Sequence, residues 1–148
     1  MDRRGFMAGA TIVPLFPALA WAGTAPVFAT DGTAIHGFDP VGYFRDRAPV
    51  KGRETIALGW RGARWLFASE ENRRMFEADP GHFAPRYGGY CAYAMAHGAI
   101  ASTVPEAWTV YEGRLYLNYS TAVRSQWSQD IPGYIARADK AWPGILDS

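Results

Sequence analysis

One cysteine, Cys91, is all the 148 residues contain, so no disulfide can form within a chain and the fold must stand without covalent staples. Histidine is scarce at three residues, and the sequence carries no His-Glu-x-x-His, no paired cysteines, no Gly-x-Ser-x-Gly elbow and no phosphate-binding glycine loop. The usual sequence signals for zinc hydrolysis, thiol exchange, serine hydrolysis and nucleotide binding are therefore missing. An excess of one charge is missing too. Fifteen Lys and Arg face 14 Asp and Glu, which leaves no electrostatic footprint for nucleic acid as a partner. Nor is there an uninterrupted apolar run of the roughly 20 residues that a spanning helix needs.

What is present begins with an address. Met1-Asp2-Arg3-Arg4-Gly5-Phe6-Met7 pairs two arginines with a following aromatic and apolar residue, the twin-arginine export pattern. A weakly apolar stretch from Ala8 to Leu19 is broken by Pro14 and Pro17, then Ala20-Trp21-Ala22 fits small-x-small cleavage before Gly23. Residues 1–22 thus read as a signal peptide and 23–148 as one domain, expected in the periplasm with no stable membrane anchor. Cleavage removes Arg3, Arg4 and Asp2, taking the formal net charge from +1 to 0. A high aromatic content supplies one compact core.

Punctuation along the chain predicts a mixed architecture. Asp39-Pro40 starts a short helical turn, and Thr55–Trp60 and Ala63–Ala68 flank Arg61-Gly62 as a hairpin. Ser69 caps a helix to about Ala78, which Asp79-Pro80 ends; His82-Phe83 lies on a further turn. Cys91–His97 forms two helical turns stopped by Gly98. A second hairpin turns at Glu112-Gly113, with Trp108, Val110, Leu115 and Leu117 on its core face. Ser120 and Asp130 each cap a later helix. The expected fold class is α+β: a small antiparallel sheet built from two hairpins, packed with several short helices.

Cys91 is the first candidate for chemistry, since it follows a Gly-Gly-Tyr loop and opens a helix, where a thiolate is favoured. Met95, four residues on, shares its face, and two sulfur donors suit copper as Cu(I). His36, His97 and Asp39 are the candidate co-ligands, His36 approaching from the other half of the chain. Two further readings stand beside this one. Cys91 is buried and structural, and Tyr87, Tyr90 and Tyr93, with Trp108 and Tyr119, form a ligand pocket or partner surface; or a Cys–His pair makes a thiol enzyme, which the rest of the sequence does not support. No catalysis is expected.

The segments Gly37–Phe44, Trp65–Asn72, Phe76–Pro80 and Tyr87–Tyr93, with Asp130-Ile131-Pro132-Gly133, resemble the YHS domain family in its exported bacterial branch. That resemblance implies the fold and a small binding module serving another system, such as a periplasmic metal-handling protein; it does not set the oligomeric state. Metal-handling members carry Asp-Pro-Val-Cys and Phe-Cys-Ser-x-x-Cys. Here Gly42, Ala68 and Asn72 stand at the three cysteine positions, so that thiolate set is not carried over.

Replacing Arg3 and Arg4 together by lysine is expected to retain the chain in the cytoplasm at full length, whereas the unaltered chain reaches the periplasm and starts at Gly23. Cell fractionation with N-terminal sequencing checks this.

Overall fold

The computed structural model describes residues 23–148, and the leader expected at residues 1–22 lies outside them. Two short strands, β1 (Ala29–Thr30) and β2 (Thr33–Ala34), lead through a 3-10 turn at Ile35–Gly37 into helix α1 (Pro40–Arg45). Strands β3 (Arg53–Trp60) and β4 (Ala63–Phe67) form the first expected hairpin; α2 (Glu70–Ala78) and α3 (Pro80–Phe83) follow. After a 3-10 segment at Arg86–Gly89 come α4 (Ala92–Ala96), β5 (Trp108–Tyr111), β6 (Arg114–Leu117), α5 (Thr121–Trp127) and α6 (Ile131–Ala141).

The mixed class with two hairpins and several short helices is what the structure shows, with one difference in the sheets. The hairpins do not share a sheet. β3 and β4 belong to a four-stranded sheet ordered β1-β2-β4-β3, and β5–β6 stands alone. β2 takes the inner edge of β4, pairing with it in parallel through Thr33 and Arg64, and the outer edge of β3 carries no strand among the described residues. The β1–β2 strands are two residues each, too short for alternation to mark them.

Pairing of Trp108 with Leu117 and of Val110 with Leu115 puts these four on one face, against a first core with Val41, Tyr43, Trp65, Phe67 and Phe76. Tyr116 turns the other way into a second core with Tyr87, Met95, Trp127 and Ala138. The β5–β6 hairpin is therefore a partition buried on both faces. The segment before β1 is tied down as well: Thr24 N donates to Leu146 O at 2.9 Å and Phe28 N to Gly88 O at 2.9 Å.

Helix starts follow the predicted caps. Ser69 Oγ accepts from Asn72 N, Ser120 Oγ from Val123 N and Asp130 Oδ1 from Gly133 N. Asp39 does more. Its fully buried carboxylate accepts from Val41 N (2.9 Å) and Gly42 N (3.3 Å) through Oδ1, and from Ala68 N (2.8 Å) and Asn72 Nδ2 (2.7 Å) through Oδ2. One side chain thus joins the start of α1, the end of β4 and the first turn of α2.

Asp39→Asn separates this role from simple capping. Asn caps about as well as Asp, but its amide would present a donor to Ala68 N–H and the Asn72 amide. A loss of about 3 kcal/mol is expected for Asp39→Asn, close to that of Asp39→Ala, because buried donors go unsatisfied in both. Urea denaturation of the two variants checks it; a near-neutral Asp39→Asn would reduce Asp39 to an ordinary cap.

Candidate functional site

Cys91 is the residue just before α4, and its sulfur does a cap's work. Ala94 N donates to Sγ at 3.4 Å, and the thiol donates to Asn118 Oδ1 at 3.5 Å. That oxygen also accepts from Tyr93 N at 3.0 Å. With 1% of its surface exposed, Cys91 has both thiol functions turned inward. Asn118, fully buried just past β6, was not a sequence candidate; its Nδ2 and the indole Nε1 of buried Trp127 find no acceptor among the described residues.

Of the expected co-ligands, Met95 stays within one turn of Cys91, its backbone N–H donating to Cys91 O at 2.9 Å, and each of the others has partners of its own. Met95 is buried one turn along α4 in the second core. His97, exposed at the end of α4, holds Nδ1 at 2.9 Å from Tyr93 O and stacks on that ring at 4.5 Å. His36 is exposed, with Nε2 3.0 Å from Thr103 O and its ring 5.3 Å from Phe28. Its outward position follows from the backbone, since Ile35, His36 and Gly37 are all left-handed. Asp39 belongs to the first core, with its acceptor positions engaged by four N–H groups. Among the described residues no three of His, Cys, Asp and Glu gather, so the set of Cys91, His36 and either His97 or Asp39 is not assembled. No hydrogen bond among the described residues joins an imidazole to the Cys91 sulfur; exposed His82 stacks on Phe44 and Phe83.

The tyrosines do not make a common face. Tyr87 and Tyr90 are buried, their hydroxyls donating to Asp139 Oδ1 (2.9 Å) and Ala25 O (2.8 Å). Half-buried Tyr93 packs on Tyr134, and Trp108 on Tyr43; Tyr119 is 55% exposed. Tyrosines rim the second core because each has an apolar body to bury and a hydroxyl that reaches a partner.

An arrangement that could take a molecule lies at the seam between the two cores and includes one of these tyrosines, Tyr87. A cavity of about 230 Å³ is walled by Trp60, Trp65, Tyr87 and Trp142, with Arg61 and Arg86 as its charged groups and no acidic side chain in its lining. Arg61 lies over the Trp60 ring at 4.6 Å, and Arg86 over Tyr87 at 5.9 Å. Arg86 also has Nη2 3.8 Å from Asp139, beyond hydrogen-bond distance. Gly88 is required here: its φ is +65°, and a Cβ would collide with the Pro26 carbonyl and come within 3.2 Å of Trp142 Cη2. Sequence reasoning missed this cavity because its walls come from five separated stretches, from Pro26 to Trp142, and no local pattern links them.

No family model, curated protein or solved structure matches the chain.

Burial pushes the phenols of Tyr43, Tyr87, Tyr90 and Tyr116 above their ordinary range; the Glu106 charge adds to the rise at Tyr43, and the Asp139 hydrogen bond to that at Tyr87. The folded state then holds these protons more tightly than the unfolded chain does. Their contribution to stability is complete below the ordinary phenol value of about 10 and is lost as pH rises above it. Stability is expected to be insensitive to these groups up to about pH 9 and to fall beyond pH 10. Of eight tyrosines, these four should ionise only as the fold is lost, which absorbance at 295 nm followed beside circular dichroism checks.

Proposed function

We propose that the chain is an exported small binding module of YHS-like kind that takes a small organic ligand, with Cys91 as a structural cap. The observation that carries this is how the polar groups are used. The Cys91 thiol and the Asp39 carboxylate spend their hydrogen-bonding capacity on the protein itself. The cavity at the seam, by contrast, has two guanidinium groups and no acid in its walls.

The positions at which the resembled family places its thiolates support the relationship. Gly42 N, Ala68 N and Asn72 Nδ2 all reach the one Asp39 carboxylate, so these positions surround a common point, as ligands to a shared ion would have to. With Gly, Ala and Asn in place of cysteine, the soft donors are gone from that point and an acceptor surrounded by N–H donors replaces them. Export rests on Arg3-Arg4 and the Ala20-Trp21-Ala22 cleavage pattern.

A Cu(I) competition titration under anaerobic reducing conditions, run on the protein and on Cys91→Ala, tests this reading against copper handling. Neither protein is expected to hold a stoichiometric equivalent of copper. The native thiol should react with a disulfide reagent only on unfolding, and Cys91→Ala should cost about 1 kcal/mol through the lost cap. Tight one-to-one binding that disappears in the variant would overturn the proposal and establish Cys91 as a copper ligand.

A further inference from the structure

Three features of the seam cavity bear on what enters it. Its volume is about 230 Å³; for scale, an engineered apolar cavity of about 150 Å³ accepts a benzene ring. The space here therefore suits one aromatic ring with a short substituent and is too small for a nucleotide or a peptide segment. Its accessible aromatic surface comes from half-buried Trp60 and Trp142, with Trp65 and Tyr87 closed off behind them, and it favours a flat, polarisable guest in offset or edge-on contact.

Charge is the third feature. Arg61 and Arg86 line the cavity while Asp, Glu and Lys do not, so its lining carries two positive charges. Arg61 is exposed and has no carboxylate within salt-bridge distance among the described residues; its recorded contact is the Trp60 ring. Arg86 reaches Asp139 only at 3.8 Å, and the Asp139 oxygen concerned already accepts from the Tyr87 hydroxyl. Planar guanidinium groups with unused N–H donors match the geometry of a carboxylate.

We propose that the seam cavity between Trp60-Arg61, Arg86-Tyr87 and Trp142 is a binding site for a single-ring aromatic carboxylate. This deepens the small-ligand reading above and rests on it. The ring lies against the Trp60 and Trp142 indoles, and the carboxylate faces the two arginines. The backbone sets one border of the space: Tyr87, Gly88 and Gly89 are left-handed in succession, and Gly88 lets the chain pack directly against Pro26 and Trp142. Tyr87 at φ +60° is a bulky residue in a costly conformation. Its hydroxyl bond to Asp139 holds it there.

Benzoate and phenylacetate are the probes, titrated into the purified protein while its indole N–H resonances and tryptophan fluorescence are followed. Saturable shifts are expected at the Trp60 and Trp142 indoles. Arg61→Ala and Arg86→Gln should each weaken binding about tenfold, the usual effect of losing a charge-assisted contact. Arg61 is exposed, so its variant should keep the native fold, and unchanged circular dichroism would verify that. Benzyl alcohol lacks the charge and cyclohexanecarboxylate the aromatic faces; each should bind at least about tenfold more weakly than benzoate. Equal binding by benzyl alcohol at the same indoles, or full affinity in both arginine variants, would overturn the ligand class while leaving a small-ligand site at the seam. No saturable shift at these indoles with any of the four probes would overturn both the site and the small-ligand reading.

Discussion

The Asp39 carboxylate is the point on which the first half of the molecule is assembled. Burying a charge without a cation in direct contact is costly, and here four N–H donors at 2.7–3.3 Å take water's place. The donors come from three elements, so the carboxylate is satisfied only when α1, the end of β4 and the start of α2 are all in position. The Asn72 amide that reaches Asp39 through Nδ2 accepts from Arg45 Nη1 through Oδ1 at 2.9 Å, and Arg45 lies 3.3 Å from Glu71. The network thus runs from a fully buried anion to the surface. In a chain with no disulfide, a fully satisfied polar cluster of this kind is a way to fix three elements to one another, at a cost if any one of them leaves.

Beyond that cluster, the β5–β6 partition divides the interior in two, and the cavity lies where the two cores meet past its edge, with no residue of the hairpin in its lining. Each face of the hairpin is covered by its own core, with Leu115 and Leu117 on one side and Tyr116 on the other. Two cores that meet along a seam must match bulky side chains from distant segments. Trp60 and Trp65 come from the first hairpin, Tyr87 from a left-handed turn and Trp142 from beyond α6. Rings of this size leave a gap when their backbones are fixed by other demands, and here the gap is bordered by two arginines that core packing does not require.

Local features of the fold were legible in the sequence, and the reasons are specific. Ser69, Ser120 and Asp130 were readable as caps because capping depends on a side-chain oxygen and N–H groups two or three residues on. Both long hairpins were readable from Arg61-Gly62 and Glu112-Gly113, whose residues adopt the positive φ that such turns demand. Alternation correctly put Leu115 and Leu117 inside. Which sheet each hairpin joins was not legible, because it depends on the single Thr33–Arg64 bridge between segments with no sequence relation. The candidate site shows the same division. Cys91 at the start of a helix was visible, but its partner Asn118 lies 27 residues away, and nothing in Leu117-Asn118-Tyr119 distinguishes a buried amide from an exposed one. His36 and Asp39 are three apart in sequence, yet a left-handed turn sends one to the surface and the other into the core.

A residue's suitability for chemistry depends on what its neighbours leave unused, and that changes the ranking drawn from residue type alone. Cysteine is the strongest soft donor in the chain, but at position 91 its sulfur accepts from one backbone N–H and donates to one amide oxygen inside a closed core. Burial of this kind also protects a lone thiol from oxidation, which depends on thiolate character and access. Asp39 has the charge a metal would seek, but four donors already surround it. Arginine is ordinarily dismissed as surface charge, yet Arg61 and Arg86 line a half-open cavity beside Trp60 and Trp142 with donors to spare. The seam cavity thus sets two guanidinium groups beside π faces, with no acid in its lining. An anion that carries its own ring satisfies both at once, whereas a bare ion would leave the aromatic walls uncovered and a neutral ring would leave the charges uncompensated.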